Sequence, residues 1–401
     1  MKKNRILLIA FLFSATFTGQ ACNTASKPVD IPPVLQSTIS SPVPSSSPLP
    51  ISPTSTPLPA PTAPPQPTPT LRLPPTPTNA PFLQAELALI SPQNTSELRQ
   101  VAVLPENGAS VVAYSPDSRR MAAGFFRTNQ VKIWDLASGQ EQLALSGHVK
   151  PRIISYLAFS PDGTRLASGA QGWDAPNDSL ILWDTSTGRE LQRYSGVLGA
   201  VSPDWNLVAL TQREQDQEVT LILSDLASGD EIHTLKAPGD IYGVSFSPQG
   251  DQVAGKMYHV YQDLFSFWSV DSGRLDRTLY NWVGFSYSPD GRFIAALVET
   301  GSGSNKGELN IFDAATFKWI KTLAKGVDAL WFTSPAFSPD GQVVAASLGG
   351  HATFWDMQTG KELASLPASG PSGLAFSPDG RILTTYSQSG PVQLWGVAGG
   401  E

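Results

Sequence analysis

The side chains that do most enzyme chemistry are scarce in this chain. Its 401 residues include only 4 histidines and 1 cysteine. His148, His233, His259 and His351 stand apart, and none falls in a ligand spacing such as His-Glu-x-x-His. With Cys22 as the sole thiol, neither a zinc site nor an intrachain disulfide is expected. Gly-x-Ser-x-Gly, the phosphate-cradling P-loop and the dinucleotide fingerprint are missing. The Gly-rich run from Gly301 to Gly307 joins two strand-like runs rather than opening a helix, so it reads as a loop. Aspartates recur, at Asp162, Asp290, Asp340 and Asp379, but each sits in a Ser-Pro-Asp-Gly phrase. There the carboxylate is a turn former first and an acid second. No catalytic residue, metal or cofactor is expected from these positions.

What recurs is structural punctuation. Ala158-Phe159-Ser160-Pro161-Asp162-Gly163 leads into Arg165-Leu166-Ala167-Ser168-Gly169, then Ile181-Leu182-Trp183-Asp184, then a turn at Thr187-Gly188. Pro fixes φ, Asp bonds its own backbone and Gly takes positive φ cheaply, so the phrase predicts short strands joined by tight turns. The first-turn serines are Ser115, Ser160, Ser202, Ser247, Ser288, Ser338 and Ser377, with gaps of 45, 42, 45, 41, 50 and 39 residues. The third runs end at Trp134-Asp135, Trp183-Asp184, Ser224-Asp225, Trp268-Ser269, Phe312-Asp313, Trp355-Asp356 and Trp395-Gly396. A period of about 40–45 residues with four strands and a Trp-Asp ending is the mark of a propeller blade. From about residue 97 onward the chain resembles the WD40-repeat family.

That resemblance implies an all-β fold, a seven-bladed β-propeller of four-stranded antiparallel blades. It also implies, in blade 2, a hydrogen-bonded tetrad of His148, Ser168, Asp178 and Trp183. The other blades depart from the family pattern: no other blade has a Gly-His pair before its first strand, since Gly350-His351 precedes a third-strand run, and blades 3 and 5 lack the Trp. Two phrases, at Asp184–Glu190 and Asp356–Glu362, also resemble the docking phrase of quinoprotein dehydrogenases, although the Trp stands on the preceding strand here. Strand counting predicts how the ring closes. An apolar-rich strand at 98–104 precedes the first repeat, and the seventh repeat lacks its fourth strand. The N-terminal strand is therefore expected beside Val392–Trp395, with residues 82–96 expendable. In the family's topology both kinds of tight turn share one face. The opposite face carries the longer, variable loops, where binding residues concentrate. Arg152, Trp173, Tyr242, Tyr258, Trp282 and Trp331 are the expected anchors there for a protein partner.

The start of the chain has a different character. Lys2, Lys3 and Arg5 precede the mostly apolar stretch Ile6–Phe17, which is too short for a membrane span but suits a signal peptide over residues 1–21. Cys22 follows directly and resembles the lipidated cysteine of bacterial lipoproteins. Residues 22–81 hold 19 of the 35 prolines among Ser, Thr and Ala. Such a segment offers no periodic apolar face, and a disordered, extended stalk is expected. The propeller domain is then 82–401. Residues 1–81 carry a net +4, which leaves −11 for the remainder. Nucleic acid requires the opposite sign, so it is excluded as a partner. The functional expectation is a monomeric, non-enzymatic binding protein, lipid-anchored in the bacterial cell envelope. The alternatives are a quinoprotein-type propeller enzyme and a cell-wall glycan binder.

Overall fold

The computed structural model describes Leu83 and residues 86–399, apart from 149–152, 172–179, 197, 214–218, 238, 260–261, 301–305, 329–333 and 368–372. Cys22 and the proline-rich segment lie outside the described residues. Chain contacts separate Met1–Ala63 from Pro64–Glu401, and the second unit holds every described residue.

The unit is a seven-bladed β-propeller. Six antiparallel sheets are each built from four strands consecutive in sequence. Blade 1 is Ala109–Tyr114, Arg120–Phe125, Gln130–Asp135 and Glu141–Ser146. Blade 2 is Ile153–Phe159, Arg165–Gln171, Leu180–Asp184 and Glu190–Tyr194. Blades 3 to 6 begin at Gly199, Asp240, Trp282 and Ala336. The first strand of blade 7 packs against the first strand of blade 1, closing the ring. Each pair of adjacent blades shares one apolar cluster. Trp134 projects into the cluster between blades 7 and 1, Trp183 into that between 1 and 2, and Trp268 into that between 3 and 4. The third-strand Trp therefore packs against the preceding blade, which is why every blade needs bulk there. Blade 5 supplies Phe312, which packs on the cluster shared with blade 4 and lies 4.9 Å, ring to tilted ring, from Trp282 of its own blade. Blade 3 has Ser224 instead, and its interface is filled from the first turn by Trp205, with the Arg165 guanidinium 4.8 Å from its ring.

Blade 7 combines both ends of the described chain. Gly373–Phe376, Leu383–Tyr386 and Pro391–Ala398 are joined by Arg99–Asn107, which runs antiparallel to the last of these with Gln100 opposite Trp395 and Ala102 opposite Leu394. Sequence reading expected 82–96 to precede the fold, but residues 86–98 are packed onto the ring. Leu87 and Ala88 pair with Ala398 and Val397. Gly399 N–H donates to Glu86 O at 2.7 Å, and Ile90 N–H to Gly380 O at 2.9 Å. Leu87, Ile90, Thr95 and Leu98 are buried. The segment is a strap over the seam of the ring. A second tie holds the closing strand to blade 1: buried Lys132 binds Glu106 of that strand and Glu141 of the outer strand of blade 1, the latter at 2.9 Å. Burial alone would lower the Lys132 ammonium pKa; its two carboxylate partners outweigh that and raise it.

Candidate functional site

The two faces of the ring are built differently. On one face, each blade repeats the same locked turn. The first-turn serines are at most 3% exposed. In six blades the serine hydroxyl donates to the carboxylate two residues on, as Ser160 does to Asp162 at 2.5 Å. In blade 4, where Gln249 replaces the aspartate, Ser247 donates to Asp251 instead. The same oxygen accepts the N–H of the residue five on, as from Arg165 at 2.9 Å. Gly163 takes φ +69; where blades 1 and 3 lack the glycine, Ser118 and Trp205 accept positive φ themselves. The second turns on this face are locked by Asp184-type carboxylates, which accept from Ser186 and Thr187. Those hydroxyl bonds hold the Asp184 carboxyl down to about 2, and the Ser160 hydroxyl likewise brings Asp162 to about 2. These carboxylates are ionised and spent on backbone geometry.

Three of the four tetrad residues meet inside blade 2. His148 Nε2 and Ser168 Oγ lie 2.7 Å apart, and Trp183 Nε1 donates to the same Oγ at 2.7 Å. Asp178 lies outside the described residues. Gly147 is required before the histidine, because a Cβ there would come within 2.8 Å of the Trp183 ring. Blade 7 keeps half the arrangement, with Trp395 Nε1 donating to Thr385 Oγ1 at 2.9 Å. The group is a structural clamp: its polar atoms are buried and directed at one another.

The opposite face carries the loops between second and third strands and between blades. Of its expected anchors, Arg152, Trp173 and Trp331 lie outside the described residues. Tyr258 is in the second strand of blade 4, opposite Asp240 and Asp263, and only its backbone is described. Trp282 is not an exposed anchor. It is 3% exposed and packs among Phe267, Phe285 and Phe312, because the strand begins at this residue and turns it into the blade 4–5 core. Tyr242 does belong to a polar group on this face. Its hydroxyl donates to Asp263 Oδ1 at 3.2 Å, and Asp263 Oδ2 lies 3.5 Å from Lys256 Nζ. Lys256 also donates to the Val283 carbonyl of blade 5 and lies 5.7 Å from the Phe265 ring centroid. Burial lowers the Lys256 ammonium pKa against the pull of Asp263. Burial, then the charge of Asp263, raises the Glu299 carboxyl. Sequence reading missed Lys256, Asp263 and Glu299. Its one available signal was a lysine at a second-strand position that holds Gly124 in blade 1 and Leu297 in blade 5.

This face offers mixed charge, partly withdrawn from water, beside variable loops. Among the described residues, no group of three or more His, Cys, Asp or Glu side chains could hold a metal ion. Partly buried phenols on the first strands are tied into the framework. Tyr156 exchanges two hydrogen bonds with the Val201 backbone and is pushed up to about 12 by burial.

The propeller fold defines the class of the protein. Residues 139–184 match the family described as WD domain, G-beta repeat. Protein tipD of Dictyostelium discoideum is 26% identical over 256 residues, covering 59% of this chain and 38% of that protein. WD repeat-containing protein 90 of Homo sapiens is 25% identical over 370 residues, covering 75% and 20%. Small ribosomal subunit protein RACK1 of Caenorhabditis elegans is 25% identical over 324 residues, covering 72% and 92%. The chain thus spans less than half the length of the first two. A chain of the Kuenenia stuttgartiensis hydrazine synthase superposes with a TM-score of 0.57 at 17% identity, covering 72% of this chain and 94% of its own, a likeness of fold alone. The repeat match, the WD-repeat relatives and the seven blades together support a WD40 β-propeller.

Proposed function

We propose that this protein is a non-enzymatic platform for protein–protein interaction that binds through the loop face of its propeller. The observation that carries the reading is the contrast between the faces. One spends its polar groups on locked turns, whereas the other presents the longer loops beside the Tyr242–Asp263–Lys256 group. A rigid scaffold carrying varied loops is how recognition sites are commonly built. WD-repeat relatives fit the same reading. We further propose that Cys22 carries a lipid and holds the domain at the cell envelope. The motivation is the single cysteine directly after a signal-like stretch.

Capture from native membranes tests the platform. Wild-type protein is expected to retain a stoichiometric protein partner, and Tyr242→Phe, which removes one hydroxyl and leaves the Lys256–Asp263 pair in place, to weaken it while the protein stays folded. A bound quinone in the absorption spectrum, or a stoichiometric metal, would overturn the non-enzymatic reading. Fatty-acid labelling tests the anchor: Cys22→Ala should abolish the label and move the protein to the soluble fraction.

A further inference from the structure

One aromatic side chain away from the loop face is held rigidly in solvent. Trp319 opens the outer strand of blade 5 (Trp319–Asp328) and is 61% exposed. Its indole Nε1 nevertheless donates within the sheet, to Asn310 Oδ1 at 3.4 Å and Thr322 Oγ1 at 3.3 Å. Thr322 Oγ1 in turn donates to Asn310 Oδ1 at 2.5 Å, and Asn310 Nδ2 to Glu308 Oε2 at 3.5 Å. Strand register puts Trp319 opposite Phe312 and Thr322 opposite Asn310. Trp319, Thr322 and Asn310 therefore share the sheet face on which Phe312 packs against the cluster with blade 4. From the facing blade, exposed Arg277 reaches across, with its guanidinium 5.4 Å from the Phe317 ring centroid. The outer wall between blades 4 and 5 thus carries an exposed indole on blade 5, an exposed guanidinium on blade 4 over Phe317, and a row of hydroxyl, amide and carboxylate groups running along blade 5 from the indole.

The indole N–H is already satisfied, so the side chain offers a ligand only its ring face. A ligand must stack on it and hydrogen-bond around it. A protein anchor would need contiguous apolar surroundings, whereas the exposed apolar side chains here are broken up by polar ones: Ile320 follows Trp319 in the chain, and on the outer strand of blade 4 Leu275 and Tyr280 are separated by Asp276, Arg277 and Thr278. A nucleobase stacks too, but it brings phosphate to a region of net −11, next to Glu308. A sugar ring has one apolar C–H face and a rim of hydroxyls, and it is neutral. We propose that the outer wall between blades 4 and 5 binds a neutral saccharide, one ring stacking on Trp319 while its hydroxyls bond Glu308 and Arg277. The site is separate from the loop face, so the two readings stand or fall independently.

Calorimetric titration of the full-length protein with chitotetraose, cellotetraose and maltotetraose tests this. Saturable binding of at least one is expected. Trp319→Ala should weaken it about tenfold or more, Trp319→Phe less, and Glu308→Gln measurably, with melting temperatures unchanged. Absence of saturable binding for all three sugars, or binding undiminished in Trp319→Ala, would overturn the proposal. So would a Trp319→Ala variant that loses a protein partner while sugar binding is unaffected.

Discussion

Ser168 does two jobs with one oxygen. It accepts from the Trp183 indole and bonds His148 Nε2, both in the interior. Ser168→Ala leaves two buried polar groups facing a methyl, and the cost should be about 1–3 kcal/mol. A shift of the denaturant midpoint at constant slope would measure it; an unchanged midpoint would refute the clamp. Three members of this group were legible because family resemblance places them by type and order. The Thr385–Trp395 bond was not, since it depends on strand register. The Lys256–Asp263 pair was hidden for the same reason: the two residues are brought together only by a hairpin between second and third strands. Trp282 was misread because Asn281-Trp282 looks like a loop tip. Asn281 takes φ +64 and absorbs the turn, which lets the next residue start a buried strand.

At the scale of elements, the blades were legible because Ser-Pro-Asp-Gly and Trp-Asp punctuate the sequence at near-constant spacing. The strap was not. Leu87, Ile90, Thr95 and Leu98 follow neither a period of two nor one of 3.6, and isolated backbone bonds leave no sequence signature. Removing residues 1–82, which stops short of Leu83 packed on the blade 7–1 cluster, should leave the melting temperature unaltered. Removing residues 1–97 exposes the sites of Leu87 and Ile90 and should cost about 3–5 kcal/mol. Deletion through residue 107 removes the closing strand, bares the edge of Pro391–Ala398 and should drive aggregation on size exclusion. If the first two truncations melt alike, the strap contributes nothing. The charge tie is separable from it. Lys132→Ala leaves Glu106 and Glu141 together without their cation and should cost about 3 kcal/mol, more than Glu106→Gln.

Taken whole, the ring spreads its acid sensitivity over many turns. Asp117, Asp162, Asp184, Asp290 and Asp313 are all held low, in each case first by a hydroxyl donor: Ser115, Ser160, Ser186, Ser288 and Thr316. A carboxyl whose pKa falls on folding adds stability above its unfolded value, about 3.9, and loses it as pH drops through the folded value. For Asp162 and Asp184 that value is about 2. Glu299 is raised and runs the other way, but it is one group against many. Thermal melts should hold level from about pH 7 to 5 and decline steeply between about 4 and 2. A flat profile to pH 2 would show that the turn bonds survive protonation.

The strap also fixes how the domain takes a load. A pull arriving along the chain meets the packing of Leu83, the Gly399–Glu86 bond and the Leu87–Ala88 pairing first. Ile90 and its bond to Gly380 come next, and only then Arg99–Asn107. Tension would peel the strap in steps while the seven blades stay shut. Under such a load the segment would act as strain relief, a short sacrificial length that yields before the seam it covers.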